Sequence, residues 1–253
     1  MDLLSPLGVS LLALAAIGAG IINTVVGSGS LITFPTLLAL GVPPVNANVA
    51  NTVGLAIGNV GGVVGYRREL VGTRRTLLPL IADTIVGAVA GALALLALPA
   101  SVFRLVAPAL IIVGCILVAI QPILNRRASQ EAGRPPLAPA WLRTPLTLLT
   151  GAYGGYFGAA QGVLIVGILD LTMREDLQRI NAIKNVLQTV AGWVATIVFV
   201  LHMALPWVSI GIIAVGSLLG SAIGSAIGRR LPAWLLRTAI IVIGAIAVVF
   251  LLA

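Results

Sequence analysis

Hydrophobic residues run along the chain in long blocks, which short polar or glycine-rich breaks divide into ten segments. The first five segments lie at 6–26, 30–41, 46–66, 76–98 and 102–122. A stretch rich in Arg and Pro follows at 125–143, and five further segments lie at 144–158, 162–171, 180–204, 207–228 and 233–252. Apolar blocks without period-two alternation indicate membrane helices rather than barrel strands. The pattern predicts an all-α polytopic membrane protein with about eight to ten helical segments.

Composition agrees with this class. Of the 253 residues, 59% are hydrophobic and 9% are charged, against roughly 25% charged residues in soluble domains. The net charge of +8 comes from arginines clustered in short loops between apolar blocks, which is typical of membrane proteins and does not indicate nucleic-acid binding. We expect a multi-pass protein of the cell membrane, in contact with the lipid bilayer, as a monomer or a homodimer.

The two halves of the sequence resemble each other. The matching pairs share one constant spacing: Leu98-Pro99 with Leu231-Pro232, Arg104 with Arg237, Gly87 with Gly220, Gly91 with Gly224 and Asn48 with Asn181. Nearer the start the spacing is two residues shorter, and it pairs Gly20 with Gly151 and Gly27 with Gly158. These matches predict a first membrane repeat at 1–124, a linker at 125–143 and a second membrane repeat at 144–253.

The arginines indicate that the repeats have opposite orientations. The loop after 46–66 contains Arg67, Arg68, Arg74 and Arg75, whereas its counterpart after 180–204 contains no Arg or Lys. Conversely, the loop after 207–228 contains three arginines, whereas its counterpart after 76–98 contains one. Since basic loops stay in the cytoplasm, we expect inverted-topology repeats, with both termini outside and the linker cytoplasmic. Inverted repeats are a common plan of secondary transporters, whose site lies at the midplane between the halves.

Segments 30–41 and 162–171 are too short to span a bilayer. Each reaches roughly 17 Å, against a hydrocarbon core of about 30 Å. With the segment before it, each is expected to form a glycine-tipped hairpin that is either re-entrant or a tilted full crossing. The residues predicted to bind substrate at the tips are Gly27, Ser28, Gly29, Ser30, Gly158, Gln161 and Gly162. Helix N-termini and backbone N–H groups at such tips favour a small anion; the alternative is that the glycines only pack helices.

Two polar stripes add further candidate residues. On 46–66, Asn48, Asn51, Thr52 and Asn59 share one helix face, and the first three of them are candidates for binding. On 180–204, the candidates Asn181, Lys184, Asn185 and Gln188 likewise share one face. Lys184 is the only lysine of the chain, and an ionisable group inside a membrane is a functional candidate. The alternative is that its side chain reaches out to the membrane surface. Asp83, in segment 76–98, is a weaker candidate for a group that carries a coupling ion.

The duplicated glycine-rich hairpin, "GSGSLITFP" and "GAYGGYFGAAQG", followed by "RINAIKN", resembles the sulfite exporter TauE/SafE family of membrane transporters. The resemblance covers essentially the whole chain. It implies export or uptake of sulfite, sulfonates or other small organic or sulfur oxyanions. The first tip differs from the family's usual run of glycines by having Ser28, Ser30 and Leu31.

The leading hypothesis is a secondary transporter of a small anion that works by alternating access and is coupled to a proton or another ion. A passive anion channel is the first alternative. An intramembrane hydrolase, with Ser28 or Ser30 beside His202, is a weaker one. We expect no enzymatic activity and no cofactor. We also expect no metal site, because the chain has one His and one Cys.

Overall fold

A computed structural model describes residues 3–130, 135–173, 175–227, 238, 240–246 and 248 of the chain. Within these ranges the regular structure is helical, with no strand. The helices are α1 Pro6–Val25, α2 Ser30–Ala39, α3 Pro44–Gly65, α4 Arg74–Ala97, α5 Ala100–Gln130, α6 Arg143–Tyr156, α7 Gln161–Met173, α8 Leu177–His202 and α9 Trp207–Ile227, with a short 3₁₀ turn at Ala140–Leu142. They confirm the all-α prediction for nine segments, whereas 233–252 lies largely outside the described residues.

Local capping residues fix several helix starts. The Ser5 hydroxyl accepts a hydrogen bond from the Gly8 amide at 3.0 Å, directly before Pro6 at the first helical position of α1. In the same way, the Asp176 carboxylate accepts from the Gln178 amide at 2.9 Å and begins α8. Helix α5 continues to Gln130, into the segment expected to be a linker. The domain boundaries themselves stay a prediction.

Helix length divides the described elements into two groups. Six of them are long and apolar enough to cross a membrane: α1, α3, α4, α5, α8 and α9. The apolar helices α2 and α7 have 10 and 13 residues, which corresponds to roughly 15 and 20 Å. Together with the composition, these lengths identify a multi-pass membrane protein.

Helices of the two halves pack in alternation. The main contacts form the series α1, α9, α3, α8, α4, α6. Helix α1 therefore packs on α9 of the other half, and α4 packs on α6 of the other half. At the centre of the series, α3 packs on α8. These two helices carry the predicted polar stripes, so the stripes lie at the centre of the molecule.

Glycines allow the outer helix pairs to approach closely. A Cβ atom on Gly220 of α9 would lie 2.0 Å from the Ile17 carbonyl oxygen of α1. In the other pair, a Cβ atom on Gly87 of α4 would lie 2.1 Å from the Leu148 carbonyl oxygen of α6. The four residues are related by the same spacings that relate the two halves in sequence. Small residues at such contacts let membrane helices pack backbone to backbone.

Replacing Gly20 by Ala is expected to destabilise the protein, because the new Cβ atom would lie 2.2 Å from the Ser217 carbonyl oxygen of α9. Overpacking of this kind costs roughly 1–3 kcal/mol, and the melting temperature measured in detergent should fall by several degrees. Gly18→Ala is the matched control on the same helix, since a Cβ atom there meets no heavy atom within 4 Å. Equal melting temperatures for the two variants would contradict the packing argument.

Candidate functional site

The two glycine turns lie in direct contact. We call residues 26–29, between α1 and α2, the first tip, and residues 157–160, between α6 and α7, the second tip. Each tip contains a glycine with positive φ, namely Gly27 at 85° and Gly158 at 72°. The Gly162 amide, in the first turn of α7, donates a hydrogen bond to the Gly27 carbonyl oxygen at 3.1 Å. The hairpins of the two halves therefore meet backbone to backbone.

This contact leaves no room for a side chain. A Cβ atom on Gly162 would lie 2.6 Å from the Gly27 Cα atom, and one on Gly27 would lie 2.7 Å from the Gly162 Cα atom. Both distances are far below van der Waals contact. Gly27 also has a backbone conformation that favours glycine. Glycine is thus required here for close approach, in addition to any role in ligand binding.

A small polar cavity lies beside the contact. Its volume is about 30 Å³, which gives room for about two water molecules. The cavity is lined by Asn23, Ser30, Thr52, Leu55, Asn59, Gly154, Phe157, Gly158, Gln161, Gln188 and Gly192. Six helices and the second tip contribute these residues, so the cavity lies where both hairpins face α3 and α8.

Helix N-termini give the cavity a positive character. Ser30 and Gln161 are the first residues of α2 and α7, and the N-terminal end of a helix carries a partial positive charge. No acidic residue is among the cavity's described lining. Gln188 lies one helical turn after Lys184 on α8, and residues at that spacing are neighbours on the helix surface. The cavity therefore favours a negative or neutral polar guest.

Side chains from α5 and α8 hold the end of α1. Lys184 Nζ donates to the Thr24 carbonyl oxygen at 3.2 Å, and Gln188 Nε2 donates to that of Gly27 at 3.3 Å. Gln121 Nε2 of α5 donates to the Val26 carbonyl oxygen at 3.1 Å. The last carbonyl groups of a helix have no partner within the helix, and these donors supply partners for them. Lys184 and Gln188 thus fix the position of the first tip.

The expectation that the tips offer free N–H groups is met only in part. The Gly29 amide donates to Asn23 Oδ1 at 3.0 Å, and the Leu31 amide donates to the Ser28 carbonyl oxygen at 3.1 Å. The Gly162 amide is used in the contact between the tips. The tip amides that form no hydrogen bond with any described residue are those of Ser28, Ser30, Ala159 and Ala160.

Several of the predicted site residues come together around the cavity. Ser30, Thr52, Gly158, Gln161 and Gln188 line it, while Gly27 and Gly162 form the adjoining contact. The Gln161 side chain is held by the Thr150 carbonyl oxygen at 3.0 Å. Ser28 is buried, and its hydroxyl has no hydrogen-bond partner among the described residues.

The other predicted residues lie outside the lining. Asn48 donates from Nδ2 to the Tyr156 carbonyl oxygen at 2.8 Å, and Asn51 accepts from the Thr33 hydroxyl. These two bonds join α3 to the end of α6 and to α2. Asn185 is buried, and Asn181 is half-buried.

The two charged candidates differ in their burial. Lys184 is 0% exposed, so its side chain does not reach out to the membrane surface. Asp83 is half-buried on α4 and does not line the cavity. Its Oδ2 atom is enclosed without a hydrogen-bond partner in the described part of the chain.

Six lining residues were not among those predicted to bind: Asn23, Leu55, Asn59, Gly154, Phe157 and Gly192. Asn23 donates from Nδ2 to Asn59 Oδ1 and so joins α1 to α3, and Gly154 leaves space for the Gln161 side chain. The spacing of Asn59 had placed it on the predicted polar face of 46–66, although it was not counted among the binding residues. Asn23 lies one helical turn before Gly27, but a single amide in an apolar helix gives no comparable signal.

Comparisons with known proteins identify the family of the chain. The profile of the family described as "Sulfite exporter TauE/SafE" matches residues 12–251. The chain is 26% identical over 249 residues to "Probable membrane transporter protein YfcA" of Escherichia coli (strain K12), covering 96% of this chain and 89% of that protein. It is 23% identical over 217 residues to "Probable membrane transporter protein" of Haemophilus influenzae, covering 85% and 84%. With nearly its whole length matched, the chain belongs to the sulfite exporter TauE/SafE family of membrane transporters.

Proposed function

We propose that the protein is a secondary transporter that binds one small anion between the two hairpin tips. The observation that carries this proposal is the polar cavity at the N-terminal ends of α2 and α7, directly beside the Gly27–Gly162 contact. Helix N-termini stabilise anions, and the described lining contains no acidic residue that would oppose one. Lys184, one helical turn from Gln188, adds a basic amine nearby.

The same cavity suits a compact substrate. At about 30 Å³ the cavity is smaller than a four-atom oxyanion, so sulfite would require the tips to separate slightly and a longer organic sulfonate would require a larger separation. Sulfite is the substrate in the family's description. We therefore place sulfite first among the candidate anions, and longer sulfonates second.

Alternating access follows from the proposed inverted repeats. Exchanging the equivalent helices of the two halves, α1 with α6, α3 with α8 and α4 with α9, gives the series α1, α9, α3, α8, α4, α6 again in reverse order. This supports a two-fold relation between the halves. The arginine distribution supports opposite orientations, with both termini outside and the linker 125–143 in the cytoplasm. The short α2 and α7 support re-entrant hairpins. Movement of one half against the other would open the cavity to each side in turn.

The structure gives less support to the hydrolase alternative. His202 is exposed at the end of α8, and its Nδ1 atom lies 2.8 Å from the Val198 carbonyl oxygen. Along α8 it lies about 20 Å beyond Gln188, far from the buried Ser28. A nucleophilic serine needs a base within hydrogen-bond distance. We therefore propose a transport function without catalysis.

Reconstituted protein is expected to accumulate sulfite in proteoliposomes, faster with a pH gradient than without one if a proton is coupled. Sulfoacetate and a small cation serve as the longer and the oppositely charged comparison substrates. Counterflow separates a carrier from a channel, because only a carrier exchanges labelled substrate against preloaded unlabelled substrate. Uptake of the cation but of no anion would contradict the proposed site, and anion flux without counterflow would favour the passive channel.

A further inference from the structure

A second and larger cavity lies on the outer surface, between the C-terminal half of α3 and α9. We call it the α3–α9 groove. Its volume is about 550 Å³. Its apolar walls include Val60 and Val64 of α3 and Leu218 and Ala222 of α9.

The groove faces away from the site between the tips. Successive helix residues are rotated by about 100°, so Val60 and Val64 are rotated by roughly 80–140° around α3 from Thr52 and Asn59, which line the small cavity. Val64 is 52% exposed and Leu218 is 44% exposed. Exposed apolar side chains on membrane-spanning helices face lipid, so the groove opens towards the bilayer.

One end of the groove is positively charged. Arg67 and Arg68 follow the last residue of α3 and line the groove. Both are exposed, and neither guanidinium group forms an ion pair or hydrogen bond with any residue in the described ranges. The Glu69 carboxylate lines the same end. Among the described residues that line this end, two cations and one anion leave a net positive charge.

We propose that the α3–α9 groove binds an anionic phospholipid from the surrounding membrane. Its phosphate would lie at Arg67 and Arg68, and an acyl chain would lie along Val60, Val64 and Leu218. The charge lies at the end of a membrane-spanning helix, where lipid headgroups are found, and basic pockets between membrane helices bind such headgroups. The apolar walls distinguish this site from one for a soluble phosphate, which would gain nothing from them.

The proposal is tested by fluorescence quenching in phosphatidylcholine vesicles. The protein carries Cys115→Ser together with Leu219→Cys, and a fluorophore is attached to the new cysteine beside the groove on α9. Its fluorescence is quenched either by spin-labelled phosphatidylglycerol or by spin-labelled phosphatidylcholine. Phosphatidylglycerol should bind about fivefold more tightly, because one net positive charge near the membrane surface contributes about that factor. Equal binding of the two lipids would overturn the proposal.

Variants test whether the preference for phosphatidylglycerol arises in the groove or from a general attraction of anionic lipid to the basic protein surface. Arg67→Ala combined with Arg68→Ala should remove the preference, whereas Arg67→Lys combined with Arg68→Lys should keep it, as should Arg104→Ala. Ala222→Phe retains the arginines but fills the groove, and it should also remove the preference. Size-exclusion elution checks the fold of every variant. A preference that persists after Ala222→Phe, or that excess inorganic phosphate abolishes in the parent protein, would overturn the lipid site.

Discussion

Gly162→Ala is expected to reduce sulfite uptake at least about tenfold. The new Cβ atom would lie 2.6 Å from the Gly27 Cα atom and 2.8 Å from Gln188 Oε1. The first contact is with backbone that cannot rotate away. Overpacking costs roughly 1–3 kcal/mol, and every 1.4 kcal/mol corresponds to a factor of ten. Separating the tips would also break the Gly162–Gly27 hydrogen bond and change the cavity beside it. The initial rate of uptake into proteoliposomes measures the effect.

Gly167→Ala is the matched control for this substitution. Gly167 lies on the same helix, α7, but a Cβ atom there would meet only the Leu124 side chain, at an ordinary distance of 3.5 Å. We expect its uptake rate to stay near that of the parent protein. If Gly162→Ala transports at the parent rate, the tip contact is not needed for transport and the proposed site is wrong.

Lys184→Met is expected to weaken sulfite binding about tenfold or more while leaving the protein folded. A hydrogen bond to a charged group contributes roughly 1.5–3 kcal/mol, and Lys184 is the basic side chain that lies one helical turn from Gln188. Removing its fully buried amine also removes the cost of desolvating that amine, which offsets the loss of its hydrogen bond to the Thr24 carbonyl oxygen. The KM for uptake should rise, and the melting temperature should be unchanged or higher.

Measuring the melting temperature together with the KM for uptake distinguishes two roles of Lys184. If it acts only as an anchor for the Thr24 carbonyl group, Lys184→Met should lower the melting temperature and leave the KM unchanged. Arg126→Ala, which removes an exposed charge at the end of α5, is the control and should change neither quantity. An unchanged KM for Lys184→Met would exclude an electrostatic role in anion binding.

The helices and the tips could be predicted from the sequence because each depends on local pattern. The apolar blocks and their glycine breaks predicted α1 to α9, and the short lengths of α2 and α7 indicated where the site would lie. Ser30 and Gln161 were identified for the same reason, since they begin those two short helices. Local pattern determines where a helix begins, and here the helix starts form part of the proposed site.

The partners of each polar side chain could not be predicted in the same way. Asn48 and Thr52 lie on one helix face, yet Thr52 lines the cavity whereas Asn48 binds the Tyr156 carbonyl group. Periodicity identifies the face of a residue but not its neighbour across an interface. Asn23 is the opposite case, because no sequence pattern identified it. Its contribution to the cavity lining becomes visible through its hydrogen bonds with Gly29 and Asn59. Residues that hold the backbone and residues that face a ligand have the same sequence signature here.

The pairing of α1 with α9 has a consequence for how the chain is made. Helix α1 is synthesised long before α9, so α1 stays without this partner while the helices between them are translated. At cellular rates of translation this takes roughly 10–40 s. Helix α4 waits a much shorter time for α6. During synthesis the glycine face of α1 must therefore be covered by lipid or by the insertion machinery. A nascent chain that stops before Trp207 lacks α9, the helix that covers this face in the folded protein.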